Sequence, residues 1–148
     1  MKKIIVIVSM LLSVAAFAAP QEVTVSYWGH EGGNEHYYSC DLARATAESH
    51  LVKLGATEIE VNCSGGIQPS GSMQAIYLNA TFNTPDVGDR YVEEVIEIRG
   101  DAFNPACGLN VAIIRQFLKV FSNVEVLKKT DSCAFQGSNF FYQLNVKH

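Results

Sequence analysis

Two histidines and two carboxylates fall between positions 30 and 36: His30, Glu31, Glu35 and His36, with Trp28, Tyr37 and Tyr38 on either side. Imidazole and carboxylate are the side chains that transfer protons near neutral pH or ligate a divalent metal. Their spacing completes no known arrangement. His30-Glu31-Gly32-Gly33-Asn34 has asparagine where a zincin-type helix needs its second histidine. Gly32-x-x-Glu35-His36 has glycine where the inverted motif begins with histidine. Gly32 and Gly33 also work against one rigid helical face. The segment therefore reads as a solvated, glycine-hinged loop whose aromatics cover the end of a sheet. Its candidate ligand-binding residues are Trp28, His30, Glu31, His36 and Tyr38. The alternative is a small hydrolase or metal-dependent enzyme using His30, Glu31 and His36.

Other candidates reduce to structural roles. His50 stands beside the apolar stripe of a helix and is expected at the core margin, hydrogen-bonded rather than ligating. Gly65-Gly66 could suggest a phosphate cradle, but no lysine follows and no helix begins there. Turn chemistry accounts for Ser64 to Ser72. Ser70 and Ser72 lack the glycine-x-serine-x-glycine elbow of a nucleophilic serine. The motifs assign no catalytic residue, no metal site and no cofactor.

Four cysteines remain, Cys40, Cys63, Cys107 and Cys133, with no Cys-x-x-Cys pair among them. In an exported chain of this size they are expected as two disulfides rather than a redox or zinc site. Four cysteines allow three pairings, and chain geometry favours one. In a right-handed βαβ unit the helix begins at the end of the sheet where the next parallel strand finishes. Cys40 at a helix start then meets Cys63 at a strand end, and Cys107 meets Cys133 likewise. Each bridge closes a loop worth roughly 3–4 kcal/mol in chain entropy.

The same cysteines mark a doubled layout. Cys40-Asp41-Leu42 and Cys107-Gly108-Leu109 each open a helical pattern, and the same offset pairs Ala45 with Ala112, Leu51 with Leu118 and Glu58 with Glu125. Gly71-Ser72 and Leu78-Asn79 are answered by Gly137-Ser138 and Leu144-Asn145. On this offset His50 takes the place of Phe117.

The elements that must position these residues follow from periodicity. Glu22 to Trp28 alternates as a half-buried strand. A helix is expected from an Asn34 cap to Gly55, with the stripe Cys40, Ala43, Ala47, Leu51 and Leu54. Strands follow at Thr57–Asn62 and Ala75–Phe82, then a linker at 84–89. The second half repeats the order. It has a strand at Val92–Ile98, a helix capped by Asn104-Pro105, and strands at Val124–Lys128 and Phe140–Val146. Its helical stripe is Cys107, Ile114, Leu118 and Phe121. The expected fold class is α+β: tandem βαββ repeats, 19–83 and 90–148, forming one mixed or largely antiparallel sheet of about six strands. Two helices are expected on one face. Ala43 and Ala47 stand where the second helix has Asn110 and Ile114, so the first helix should lie closer to its sheet.

Residues 1–18 read as a cleaved signal peptide. Lys2 and Lys3 precede an apolar run, and Ala16-Phe17-Ala18 supplies the small residues that a signal peptidase needs. The run is shorter than the ~20 residues that span a bilayer. No second apolar stretch is long enough, so no transmembrane segment is expected in the mature chain. Cleavage leaves 9 basic against 15 acidic residues, a net charge of −6. Of the bases, only Arg44 and Lys53 lie in 19–83. Such a chain lacks the basic surface that nucleic acid requires. The sequence therefore points to a periplasmic or secreted, non-enzymatic module whose partner is another exported protein or a small ligand.

Overall fold

A computed structural model describes residues 20–31, 34–35, 37–88, 91–100, 106–133 and 140–148. The signal segment and the Asn104-Pro105 cap lie outside these residues. The fold is mixed α+β. The first half contains β1 (Gln21–Tyr27), the short pair β2 (His30–Glu31) and β3 (Asn34–Glu35), α1 (Cys40–Lys53), β4 (Thr57–Ile67) and β5 (Met73–Asn83). The second contains β6 (Glu93–Arg99), α2 (Cys107–Phe117), β7 (Val124–Thr130) and β8 (Phe141–Lys147).

The six long strands do not merge into the single sheet expected from sequence. They form two three-stranded antiparallel sheets, ordered β1-β5-β4 and β6-β8-β7. In each half the last strand returns between the other two, so its pairing is completed locally. β1 and β4 are thus parallel but separated by β5, as are β6 and β7 by β8. α2 lies against β1. The β4 edge is poorly suited to joining, since its ladder is interrupted between Thr57 and Glu60 and again between Ser64 and Gly66. Such register breaks disturb the straight row of amides and carbonyls that a further strand would need.

Helix α1 begins later than expected. Ser39, not Asn34, is its N-cap, and the Ser39 side chain accepts a hydrogen bond from the Leu42 amide at 3.2 Å. Asn34 is instead held in β3, opposite Glu31. β4 runs to Ile67, beyond the expected end at Asn62, because its two glycines are absorbed as a bulge. Gly65 and Gly66 have φ of 85° and 71°. A Cβ on Gly65 would lie 1.8 Å from the Ala75 carbonyl oxygen, and one on Gly66 2.5 Å from that of Tyr38. Only glycine meets both demands. The true turn is shorter, with the Gln68 amide bonded to the Ser72 carbonyl.

Alternation builds the core. Val23, Val25 and Tyr27 of β1 face inward with Ile76, Leu78, Ala80 and Phe82 of β5. Tyr142, Leu144 and Val146 do the same from β8. Val92, expected to open the second half's first strand, lies just before β6 and is exposed; its backbone pairs with His148. Ala43 and Ala47 of α1 are fully buried; α1 packs on β4 and β5, and α2 meets α1 and β1. Contacts between the halves are specific. Phe82 stacks on Phe121 at 5.3 Å and meets Phe117 edge-on at 5.7 Å. Two disulfides tie down the helix starts, Cys40–Cys63 onto β4 and Cys107–Cys133 onto the segment after β7, with Cα separations of 5.6 and 5.7 Å. This is the pairing expected from chain geometry.

Candidate functional site

β1 delivers its last residues to the end of the first sheet where α1 begins. Gly29, at φ 78°, redirects the chain into the β2–β3 pair, whose register sets His30 opposite Glu35 and Glu31 opposite Asn34. The segment thus contains a short paired ribbon between strand and helix. The side chains of His30 and Glu31, and all of His36, lie outside the described part of the structure.

The aromatic candidates separate cleanly. Tyr38 is 7% exposed, its ring 5.8 Å from that of Tyr27 in the core. Its carbonyl accepts the Ile67 amide at 3.0 Å, which ties the approach to α1 onto the end of β4. Trp28 points the other way and is 62% exposed. The alternation of β1 explains this, since residues 23, 25 and 27 face inward and Trp28 continues the outward series. Its ring meets Tyr77 of β5 edge-on, with centroids 6.3 Å apart and planes at 79°. Tyr77 was not among the sequence candidates. Its signal was the period-two pattern of β5, in which Ile76 and Leu78 face the core and Tyr77 cannot.

Trp28 and Tyr77 stand at one end of the outer face of the first sheet. Register across the three strands arranges that face in rungs. Ser26, Tyr77 and Ser64 share one rung; Thr24, Asn79 and Asn62 share the next; Glu22, Thr81 and Glu60 share the third. All nine residues are exposed, and none is aliphatic or basic. The Asn79 amide donates to Glu22 at 2.9 Å and the Asn62 amide to Glu60 at 3.1 Å. The face therefore grades from aromatic rings through hydroxyls and amides to carboxylates.

Two other polar groupings hold the fold together. His50 is 5% exposed, and its Nε2 lies 2.9 Å from Asn110 Oδ1 across the α1–α2 contact. Asn110 donates its Nδ2 to the Ala106 carbonyl, so its oxygen is the acceptor and His50 Nε2 carries the proton. Burial pushes the imidazole down to about 4, with a smaller downward push from Lys53 opposed by the Asn110 hydrogen bond. This is the core-margin role expected for His50. The second grouping centres on Asp131 Oδ2, which accepts from Arg115 at 2.7 and 3.1 Å, from the Tyr142 hydroxyl at 3.1 Å and from Lys129 at 3.4 Å. Arg115 foremost holds the Asp131 carboxyl below its ordinary value. An anion with that many donors is an anchor for the strand leading to Cys133 rather than a proton donor. Ser70 and Ser72 bond to each other at 3.1 Å in the exposed turn. Among the described residues, no three histidine, cysteine or acidic side chains converge to hold a metal ion. No described helix is long and apolar enough to cross a membrane.

No family model matches the chain, and comparison with curated proteins and with solved structures returns no significant similarity.

Proposed function

We propose that this chain is an exported, disulfide-braced binding or protein-interaction module without catalytic activity, and that Trp28 belongs to its contact surface. One observation carries the reading. The only tryptophan of the chain is 62% exposed on a sheet face, and an edge-on tyrosine holds its ring there. Large aromatics are normally buried, and an ordered, exposed pair of them supplies rigid contact area at little entropic cost. In this reading residues 1–18 are removed during export, and the product works in the periplasm or outside the cell. Two disulfides suit that oxidising setting.

The mature chain, 19–148, is in this reading one domain made of two βαββ half-repeats joined at 84–89. The shared element order, the shared strand order and the matching disulfides support a duplication. So do Leu78 and Leu144, which are buried at equivalent places in the two central strands. The partner is a small ligand or another exported protein.

A thermal-shift screen with small ligands and metals, run with and without chelator, tests the module directly. A ligand shift that disappears in Trp28→Ala and survives chelator supports it. The competing reading is a small hydrolase or metal-dependent enzyme using His30, Glu31 and His36. What favours it is the β2–β3 register, which sets His30 opposite the carboxylate-bearing Glu35. Turnover that is lost in both His30→Ala and His36→Ala would replace the module with the enzyme.

A further inference from the structure

We propose that the outer face of the first sheet is a platform for a neutral oligosaccharide, one sugar ring stacking on Trp28 and the following rings lying along the hydroxyl and amide rungs. The proposal rests on the binding-module reading and names its ligand class.

A pyranose ring has two kinds of surface: faces of C–H bonds and a rim of hydroxyls that each donate and accept. Its complement is a flat aromatic beside short side chains that also donate and accept. The sheet face supplies both in order. Trp28 and Tyr77 present the rings, and Ser26, Thr24, Asn79 and Asn62 follow within two rungs. Hydroxyl and carboxamide groups can each donate and accept. Short serine, threonine and asparagine side chains also lose little rotamer entropy on binding.

The surroundings of Trp28 leave its ring accessible. Extending the β1–β5 register by one residue sets Trp28 opposite Ala75, and beyond Ala75 lies Gly65, whose close approach to the Ala75 carbonyl excludes any side chain. Small residues therefore flank the ring on the sheet side. From Trp28 to Glu22 the strand extends roughly 20 Å, long enough for several sugar units.

Charge selects against other ligands. The face carries no lysine or arginine, and Glu22 and Glu60 stand at its far end. Phosphate, sulfate and uronate groups would meet only like charge there. A protein partner fits poorly for a different reason. The centre of a protein interface is largely apolar and dry, whereas this face has no aliphatic side chain beyond threonine methyls. An uncharged, hydroxyl-rich chain avoids both penalties.

Trp28 is the sole tryptophan, so its fluorescence reports on the platform without labelling. The oxidised mature chain should be titrated with cellohexaose, N-acetylchitohexaose and maltohexaose, with polygalacturonate as the anionic control and calorimetry as a second readout. At least one neutral hexasaccharide is expected to shift Trp28 emission saturably and to bind at least tenfold more tightly than its monosaccharide. By calorimetry Trp28→Ala should abolish that binding and Tyr77→Ala should weaken it at least tenfold, with both variants keeping the parent circular dichroism and melting temperature. Silence toward all three neutral oligomers overturns the platform while leaving the module reading intact. So does binding that survives both substitutions, or preference for polygalacturonate. Cleavage of a bound oligomer that is lost in His36→Ala would instead overturn the non-enzymatic reading and leave the platform standing.

Discussion

His50 sits between the two helices with Nε2 bonded to Asn110 and Nδ1 without a partner among the described residues. Protonating Nδ1 would place a charge where no described group receives it. The imidazole pKa is about 4 in the fold against 6.5 for the ordinary group. Between those values the unfolded chain binds the extra proton and the folded chain does not. Stability should therefore be unaffected by this group above pH 6.5, fall as pH drops toward 4, and level off below that. The difference corresponds to about 3 kcal/mol. Urea unfolding at a series of pH values measures it. The double variant His50→Phe/Asn110→Ala introduces the residue types found at the offset positions Phe117 and Ala43. It is expected to fold and to lose this part of the pH dependence. A sequence reading could place His50 beside an apolar stripe and match it with Phe117. It could not supply Asn110, because that partner lies 60 positions away on another helix.

At the scale of elements, β4 is decided by its glycines and its cysteine. Gly65→Ala drives a Cβ into the Ala75 carbonyl and should cost more than 3 kcal/mol, by steric overlap as well as positive φ. Gly71→Ala has the same sign of φ but open space around the new methyl, so only about 1 kcal/mol is expected. Equal costs in chemical denaturation would refute the bulge as a close-packed feature. The disulfide joining α1 to β4 closes a separation of 23 residues, and the Cys40→Ala/Cys63→Ala variant should lose roughly 3 kcal/mol. Most strand and helix existence was readable from period and stripe. The start of α1 was not, because Asn34 and Ser39 are both good capping residues. The choice fell to Ser39 once Asn34 and Glu35 were engaged by His30 and Glu31.

For the whole molecule, the ring cluster of Phe82, Phe117 and Phe121 is one apolar link between the halves, beside the packing of α2 on β1 and α1. Each half contributes one three-stranded sheet and one helix, which is a small core to stand alone. The two are therefore expected to unfold in one calorimetric transition. Phe82→Ala should lower its stability by about 3–5 kcal/mol. Two resolved transitions in the parent protein, or a Phe82→Ala effect confined to one of two transitions, would show independent domains.

Residue order alone carried the α+β class, the stripe of α1, the four-cysteine pairing and the core placement of His50; of the second stripe, Leu118 and Phe121 fall beyond α2, which ends at Phe117. Each of the four depends on local period or on the handedness of a single strand–helix–strand unit, and such rules act within one half of the chain. Tertiary structure decided the rest. It split six strands into two sheets, since each returning strand found its partners at home, and it laid α2 against β1 of the other half. It also divided the aromatic candidates, sending Tyr38 into the core and leaving Trp28 outside beside Tyr77. Which face of a sheet is covered, and which rung stands beside which, depends on strands more than forty residues apart meeting in one register.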